Sequence, residues 1–501
     1  MVDAERVSIL LNGVRLETAV GTVLSEAIHA EQPCGGHGKC DKCKVIAHGA
    51  LSPVGETERA ALTEEELQSG VRLACCVTVL GACEVRSLRE SAQSEILTDG
   101  TAEVRVLDPV FRRYGVALDI GTTTFAARLY DGTGRMRGAC SRLNPQARWG
   151  ADVISRIEAS MGGAAHALAT AIRSAIDEML LELSDGAGIS AKEIDGIVLT
   201  GNTAMLYFLT ESDPKTLSRA PFCADRLFGE SLRASSLGLL SPDGDAEIVL
   251  PSCIGAFVGA DTACAILATG LCRTQGSALL VDIGTNGEIA LWQSGRLSVA
   301  STAAGPAFEG VGISMGMRGE TGAIDRVVLA NGSLHAHVIG NVAPRGICGS
   351  GLVDAVACLL LAEEIDETGY LEEDPVTVSE PVVLTGKDIR MVQLAKSAIC
   401  AGIRTLLSEA GVTEEQIGRL FIAGGFGNYL DVANAGRIGL LPPTLVSKVE
   451  TVGNAALDGA AMLLCDRSLL EECRRWKDGA RLVELSTNAV FSEYYVDGMM
   501  F

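Results

Sequence analysis

One segment that occurs twice in this 501-residue chain constrains its fold most. An apolar run, the string Asp-Ile-Gly-Thr, a short polar loop and a second apolar run occupy residues 114–130, and the same order returns at 278–292. Each copy predicts a β-hairpin whose loop contains Asp, Gly and Thr. One such loop is a common turn, whereas two copies in matching surroundings indicate a duplicated fold unit.

Both loops have the composition of phosphate-binding turns. Backbone N–H groups at a tight turn form an anion-binding concavity, glycine permits close approach, and threonine hydroxyls add donors. An aspartate beside the loop would hold Mg²⁺ through water or orient an attacking water. We therefore expect Asp119 and Asp282 to be catalytic. The candidate phosphate-binding residues are Gly121, Thr122, Thr123, Thr124, Gly284, Thr285, Asn286 and Gly287.

Other polar or glycine-rich segments have two interpretations each. The pair Gly424 and Gly425 follows an apolar run. Because glycine has no side chain, a flat ring could pack against the backbone there; the alternative is a plain strand-to-helix turn. Thr203 lies in a segment that lines a cleft or caps a helix. Asp152 is either catalytic or a first-turn acid of a helix, and the second is favoured. No Walker G-x-x-x-x-G-K-[ST] segment occurs, which excludes the commoner ATPase class.

Four cysteines near the start indicate a metal centre. Cys34, Cys40 and Cys43 share one glycine-rich loop in a C-x5-C-x2-C spacing, and Cys75 follows about thirty residues later. Three thiolates on one loop and a distant fourth are typical of a [2Fe-2S] cluster. Zinc is the alternative, but zinc sites usually pair one C-x2-C with another or with histidines, and no second pair with that spacing follows.

Composition narrows the function classes. The formal charge of −22 argues against nucleic acid, whose binders need clustered Lys and Arg. The first residues do not predict a signal peptide, and the apolar stretch 249–272 is broken by Pro251 and Asp261, so we expect no membrane span. Sixteen cysteines without a secretory signal predict reduced thiols, a cytoplasmic location and an anaerobic host. Most of the other cysteines, such as Cys264, Cys358 and Cys400, are expected to be small core residues.

Patterning predicts an α/β multidomain protein. Residues 1–88 read as a small β-rich domain that resembles a β-grasp ferredoxin, with a hairpin at 7–16, a helix at 22–30 and a strand at 76–85. Residues 89–113 are polar and predict a linker. Strands alternate with helices over 114–501, which predicts a layered, duplicated ATPase-like unit with lobes at about 114–275 and 276–501.

The order of two phosphate loops and a final Gly-Gly resembles the actin, hexokinase and heat-shock chaperone ATPase superfamily. That resemblance implies an actin-like, two-lobed fold in which Gly424 and Gly425 contact the adenosine of ATP. The whole chain, a ferredoxin-like domain fused to this ATPase-like unit, resembles the reductive activators of corrinoid-dependent enzymes. The resembling strings are residues 144–157, 200–205, 282–288, 305–310, 345–351 and 424–427. Cys76 stands where glutamine is expected, which leaves open whether Cys75 or Cys76 binds iron.

The resemblance implies ATP-dependent transfer of one low-potential electron from a [2Fe-2S] cluster to cobalt(II) of a corrinoid protein, which regenerates cobalt(I). ATP and Mg²⁺ would act at the paired loops, and a low-potential donor would reduce the cluster. Two alternatives stay open: a redox-sensing, nucleotide-dependent binding protein, and an activator of another low-potential enzyme such as a 2-hydroxyacyl-CoA dehydratase. The oligomeric state is also open, with a homodimer among the options.

Overall fold

The computed structural model describes residues 6–28, 30, 36, 38, 43–87 and 104–501. Contacts divide the chain into two units. Unit 1 contains Met1–Gln93 and Pro145–Ala164, and unit 2 contains Ser94–Asn144 and Ala165–Phe501. Within the described ranges, no helix is long and apolar enough to cross a membrane.

Unit 1 is built on a five-stranded mixed sheet. Its strands are β1 (Arg6–Leu11), β2 (Val14–Ala19), β3 (Lys44–Leu51), β4 (Val71–Leu73) and β5 (Val79–Ser87). Their order is β2-β1-β5-β3-β4, and the neighbours β1 and β5 run parallel. Its helices are α1 (Leu24–Ala27), α2 (Glu56–Ala61), α3 (Glu64–Gln68) and α4 (Val153–Ala159). The predicted hairpin is confirmed, and its turn residues Asn12 and Gly13 both have positive φ, as an Asn-Gly turn requires.

Two predictions within unit 1 were wrong in extent. The helix expected at 22–30 is limited to Leu24–Ala27. The strand expected from 76 begins at Val79, because Ala74–Cys76 form a 3-10 turn between β4 and β5. The core beneath the sheet includes Ile9 and Leu73, both fully buried. The turn that contains the two adjacent cysteines thus directly follows a fully buried strand.

Unit 2 contains two large sheets with the same internal plan. The first sheet consists of β6 (Tyr114–Ile120), β7 (Thr124–Asp131), β8 (Met136–Leu143), β9 (Ile194–Gly201), β10 (Phe228–Arg233) and β11 (Glu247–Ser252). The second consists of β12 (Ser277–Ile283), β13 (Gly287–Gln293), β14 (Arg296–Thr302), β20 (Ile417–Ala423), β21 (Val449–Gly453) and β22 (Arg481–Leu482). The strand order is β10-β11-β9-β6-β7-β8 in the first sheet and β21-β20-β12-β13-β14-β22 in the second.

The plan repeats over five strands of each sheet, whereas the sixth strand differs: β10 lies beside β11 and β22 lies beside β14. In each sheet the strand with the Asp-Ile-Gly-Thr aspartate, β6 or β12, pairs antiparallel with the second strand of its hairpin and parallel with a later strand, β9 or β20. The remaining described strands form two small sheets. One contains β15 (Ala323–Ala330), β16 (Ser333–Val338) and β17 (Gly346–Ile347), and the other contains β18 (Val376–Ser379) and β19 (Val382–Leu384). The duplication that the sequence repeat predicts is therefore present in the fold.

Helices cover both large sheets. They are α5 (Ala165–Ala187), α6 (Thr203–Leu209), α7 (Ala234–Leu237), α8 (Ala260–Thr269), α9 (Gly349–Leu361), α10 (Gly386–Ala410), α11 (Val432–Arg437), α12 (Ala455–Cys465), α13 (Leu470–Gly479) and α14 (Ala489–Asp497). One core cluster joins α8 and α12 to strands of both large sheets. The cysteines expected in the core, Cys264, Cys358 and Cys400, are buried.

Part of the segment expected to be a linker packs in unit 2. Residues 88–103 lie outside the described residues. Beyond them, Val110 and Phe111 are buried, and the backbone N–H of Val110 donates to the carbonyl of Leu464 at 2.9 Å. The chain that enters β6 is therefore part of the unit 2 core from Val110 onward.

Candidate functional site

The two Asp-bearing hairpin loops lie at the ends of matching strands. Asp119 and Asp282 are the penultimate residues of β6 and β12. A Cβ built on Gly121 would come within 2.4 Å of the Thr124 carbonyl oxygen, so only glycine fits this turn. In the second loop the N–H of Gly284 donates to the carbonyl of Asn286 at 2.9 Å. Both turns are therefore tight, as a phosphate loop requires.

Three aspartates from different parts of unit 2 lie close enough to interact through their charges. Burial raises the pKa of Asp119 to about 8, and the charges of Asp261 and Asp282 add to the effect. Burial likewise raises the pKa of Asp282 to about 7 and that of Asp261 to about 6. Each side chain is only partly exposed. Crowded carboxylates that resist ionisation indicate a site that gains stability from an added cation.

Asn286 and Gly287 extend the second loop toward a fourth acid. Burial, followed by the charges of Asp261 and Asp282, raises the pKa of Glu288, whose carboxyl also interacts with the Asn286 side chain. Gly287 has the Thr302 methyl group 3.0 Å from an ideal Cβ, which leaves little room for a side chain. Asn286 is thus committed at least partly to holding Glu288.

Sequence reasoning missed three site residues. Asp261 lies in the first turn of α8, and its sequence signal was an acid near the start of a helix after an apolar run. Asn454 caps α12 through the Leu457 N–H and donates its side-chain amide to Asp119 at 3.2 Å. Glu309 lies in one of the strings that resemble the activator family, but no role followed from that string.

Glu309 joins the two loops. The Thr123 hydroxyl donates to Glu309 Oε2 at 2.6 Å, and the Thr285 hydroxyl donates to Glu309 Oε1 at 2.8 Å. Thr123 lies in the first loop and Thr285 in the second. One carboxylate therefore accepts from a predicted phosphate-binding residue of each loop, and the structure brings the two predicted loops together.

The Gly-Gly segment lies against the second loop. Gly424 has a φ of 95°, and a Cβ built on it would come within 2.7 Å of Asp282 Oδ1. A Cβ on Gly425 would meet nothing within 4 Å, so the backbone there is open. The Phe426 ring stacks on Phe308 with centroids 5.0 Å apart. The segment thus combines bare backbone with a fixed aromatic neighbour.

Two other candidate residues serve as, or lie beside, helix caps. Asp152 caps α4 by accepting from the Ser155 N–H at 2.8 Å, which agrees with the favoured structural role. Asn202, rather than Thr203, caps α6 by accepting from the Ala204 N–H, while the Thr203 hydroxyl donates to a backbone carbonyl. Their contacts account for these side chains without a catalytic role.

The cysteine site is described in part. Cys34 and Cys40 lie outside the described residues. The sulfur atoms of Cys43 and Cys75 are 3.3 Å apart, and that of Cys76 is 3.7 Å from that of Cys75. Among the described residues no group of three His, Cys, Asp or Glu is arranged to hold a metal ion.

The pair of thiols fits a cation-bound state. The hydrogen bond between them lowers the pKa of Cys43 to about 7, and the same contact, together with burial, raises the pKa of Cys75. Once one thiol has ionised, the second resists ionisation, because two thiolates at this distance repel each other. A metal centre between them would allow both to be thiolates.

Comparisons with known proteins agree with this arrangement. Residues 114–274 match the model described as the RACo middle region, and residues 276–501 match that of the C-terminal domain of RACo, the ASKHA domain. The chain is 38% identical to the corrinoid activation enzyme RamQ of Eubacterium limosum, over 77% of this chain and 70% of that protein.

Two further similarities extend over most of the chain. The [Co(II) methylated amine-specific corrinoid protein] reductase of Methanosarcina barkeri is 26% identical over 76% of each chain. The solved structure of a reductive activator for corrinoid, iron-sulfur protein superposes with a TM-score of 0.71 at 27% identity and covers 99% of this chain and 98% of that one.

Fold and site together define the class. Two sheets of one plan, each with an Asp-bearing loop, followed by a glycine segment beside the second loop, make unit 2 an ASKHA-type, actin-like ATPase fold. Within that class the chain belongs to the RACo family, the reductive activators of corrinoid-dependent enzymes.

Proposed function

We propose that this protein is an ATP-hydrolysing reductase that activates a corrinoid protein by passing one electron to cobalt(II) and regenerating cobalt(I). One observation supports this most: a single chain contains a close thiol pair and two phosphate-loop candidates that one carboxylate bridges. The first feature suits an electron-transfer centre and the second suits a nucleotide-driven conformational change.

The N-terminal residues are proposed to form a β-grasp ferredoxin domain, with 1–88 as its extent and 89–113 as the connection to the ATPase lobes. The mixed five-stranded sheet of unit 1 supports this fold. Cys34, Cys40, Cys43 and Cys75 would hold a [2Fe-2S] cluster, which supplies one-electron transfer at low potential when bound. Cys75 is preferred to Cys76 because its sulfur lies beside that of Cys43.

The nucleotide would lie where the two loops meet. Asp119 and Asp282 would hold Mg²⁺ through water, since the described carboxylates do not themselves form a three-ligand metal site. Threonine hydroxyls and backbone N–H groups of both loops would bind the phosphates. The open backbone at Gly425 would face adenosine.

Energetics explain why ATP is needed. Reduction of cobalt(II) to cobalt(I) requires an electron at a very low potential. Two-iron clusters of the plant type have potentials near about −400 mV, which would not suffice unaided. Each ~59 mV of uphill one-electron transfer costs about 1.4 kcal/mol. We infer that ATP binding or hydrolysis favours a conformation of the complex with the corrinoid protein in which transfer occurs. A low-potential donor then reduces the protein again.

The test is anaerobic. Purified protein, reductant, Mg-ATP and a cobalt(II) corrinoid protein are mixed, and the cobalt(I) absorption band is followed. We expect the band only with ATP, and its loss in Cys40→Ala and Asp282→Asn. The exposed residues Cys223 and Asp185 provide matched controls, Cys223→Ala and Asp185→Asn, which should keep activity.

Two results would contradict the proposal. Nucleotide binding without electron delivery to any corrinoid protein would favour a redox-sensing binding protein. Zinc, or no metal, in protein purified without oxygen would remove the electron-transfer role. Iron content measured on the same sample separates these outcomes.

A further inference from the structure

The bridge made by Glu309 uses donors that a bound nucleotide would need. Its two carboxylate oxygens accept from Thr123 and Thr285, at 2.6 and 2.8 Å. An ideal Cβ on Gly284 would lie 3.9 Å from Glu309 Oε1, so the carboxylate sits directly over the second loop. Glu309 therefore occupies the position at the two loops where an anion would bind.

The bridge is anchored on one side only. Glu309 ends the 3-10 turn Pro306–Glu309, and the N–H of Gly305 donates to the carbonyl of Thr285 at 2.9 Å. Glu309 and Thr285 thus belong to one locally fixed group that follows strands of the second large sheet. The bond to Thr123 reaches a loop of the first large sheet, so the carboxylate links the two loops.

The Glu309 bridge and a bound phosphate are mutually exclusive. A threonine hydroxyl has one proton, so Thr123 cannot donate to Glu309 and to a phosphate oxygen at the same time. A carboxylate beside a phosphate also repels it, because both groups are negatively charged. A phosphate that enters must therefore displace Glu309 and break the contact between the loops.

We propose that Glu309 is a positioning residue that takes the place of nucleotide phosphate: it tethers the two loops in the nucleotide-free protein and is released when the phosphates bind. This inference rests on the nucleotide site of the proposed function. Release of Glu309 is then the first structural consequence of nucleotide binding. Because the bridge holds the free protein in one conformation, it also lowers the affinity for nucleotide.

The experiment compares the full-length protein with Glu309→Gln, Glu309→Ala and the control Glu373→Gln, which changes an exposed glutamate. Affinity for ATP and ADP is measured by calorimetry, with Mg²⁺ and with a chelator. We expect both Glu309 variants to bind nucleotide about tenfold more tightly, because two charge-assisted hydrogen bonds no longer compete. The control should match the parent protein.

A second measurement needs no nucleotide. Hydrogen exchange of the segment 121–124 should be faster in both Glu309 variants than in the parent, and nucleotide should abolish the difference. Unchanged or weaker nucleotide binding by well-folded Glu309→Gln would overturn the proposal and would make Glu309 a ligand of the Mg-nucleotide. Absence of nucleotide binding by the parent protein would instead refute the proposed function on which it rests.

Discussion

Gly459 of α12 lies directly against the backbone of Cys264 in α8. A Cβ built on Gly459 would come within 2.0 Å of the Cys264 carbonyl oxygen. The two helices begin at the site, since Asp261 lies in the first turn of α8 and Asn454 caps α12. Their close crossing therefore fixes the positions of two groups that interact with Asp119.

Gly459→Ala should destabilise unit 2, because the added methyl group meets backbone that cannot rotate away. We expect a loss of about 2 kcal/mol or more in the free energy of unfolding, the range of overpacked cores. The control Gly186→Ala, in α5 with nothing within 4 Å, should leave stability unchanged or slightly higher. Denaturant titration monitored by circular dichroism measures both, and equal stabilities would show that the helices can separate without cost.

Glu58 organises the approach to the cysteine site. Its buried carboxylate accepts two hydrogen bonds of 2.8 Å from Arg72 and one from the Leu73 N–H, two residues before Cys75. Burial alone would raise the pKa of Glu58, yet the bonds from Arg72 hold it below its ordinary value.

Glu58→Gln should therefore leave the Arg72 charge buried without a carboxylate, at a cost of about 3 kcal/mol or more. We expect unit 1 to unfold at lower temperature and to lose iron, while nucleotide binding in unit 2 persists. Glu56→Gln, an exposed change on the same helix, is the control. Iron retention and calorimetric unfolding are the measurements, and loss of iron in the control variant would speak against the specific role of Glu58.

Substitution of the adjacent cysteines Cys75 and Cys76 should have opposite effects on the proposed cluster. Cys75→Ser is expected to abolish the visible absorption of the cluster, because the Cys75 sulfur lies beside that of Cys43, 3.3 Å away. Cys76→Ser is expected to keep it. Absorption and electron paramagnetic resonance spectra of oxygen-free protein decide between them. The reverse pattern would assign Cys76 as the ligand.

Stability should fall as pH rises when metal and nucleotide are absent. Burial raises the pKa of Asp119 from 3.8 to about 8 and that of Asp282 from 3.8 to about 7. The native state then binds more protons than the unfolded state, so the extra stability is fully present below pH 3.8 and is lost as pH rises through 7 to 8.

Thermal unfolding between pH 5 and about 9 measures this dependence. Asp282→Asn should flatten the curve, because one titrating group is removed, and the difference between parent and variant cancels the contributions of other groups. Mg-nucleotide should stabilise more at high pH, since the metal competes with protons for the carboxylates. A variant whose curve matches that of the parent would contradict the assignment.

Local patterns determined much of this protein. Alternating apolar runs around Asp-Ile-Gly-Thr predicted two hairpins, and both exist with their aspartates at matching strand ends. Helix α10 spans Gly386–Ala410, and a Thr cap and a terminal glycine mark its two ends in the sequence. Such features depend on neighbouring residues, so a linear sequence contains the information for them.

Tertiary structure decided what meets at the site. Glu309 is 186 residues from Thr123, and Asn454 is 335 from Asp119, and no local pattern links either pair. Their contacts exist because α8 and α12 pack in one core cluster with strands of both large sheets, which brings the equivalent loops together. The placement of Cys75 beside Cys43 likewise depends on the 3-10 turn Ala74–Cys76, which precedes the strand and was not predicted. Packing between distant segments, which sequence spacing does not encode, selects these partners.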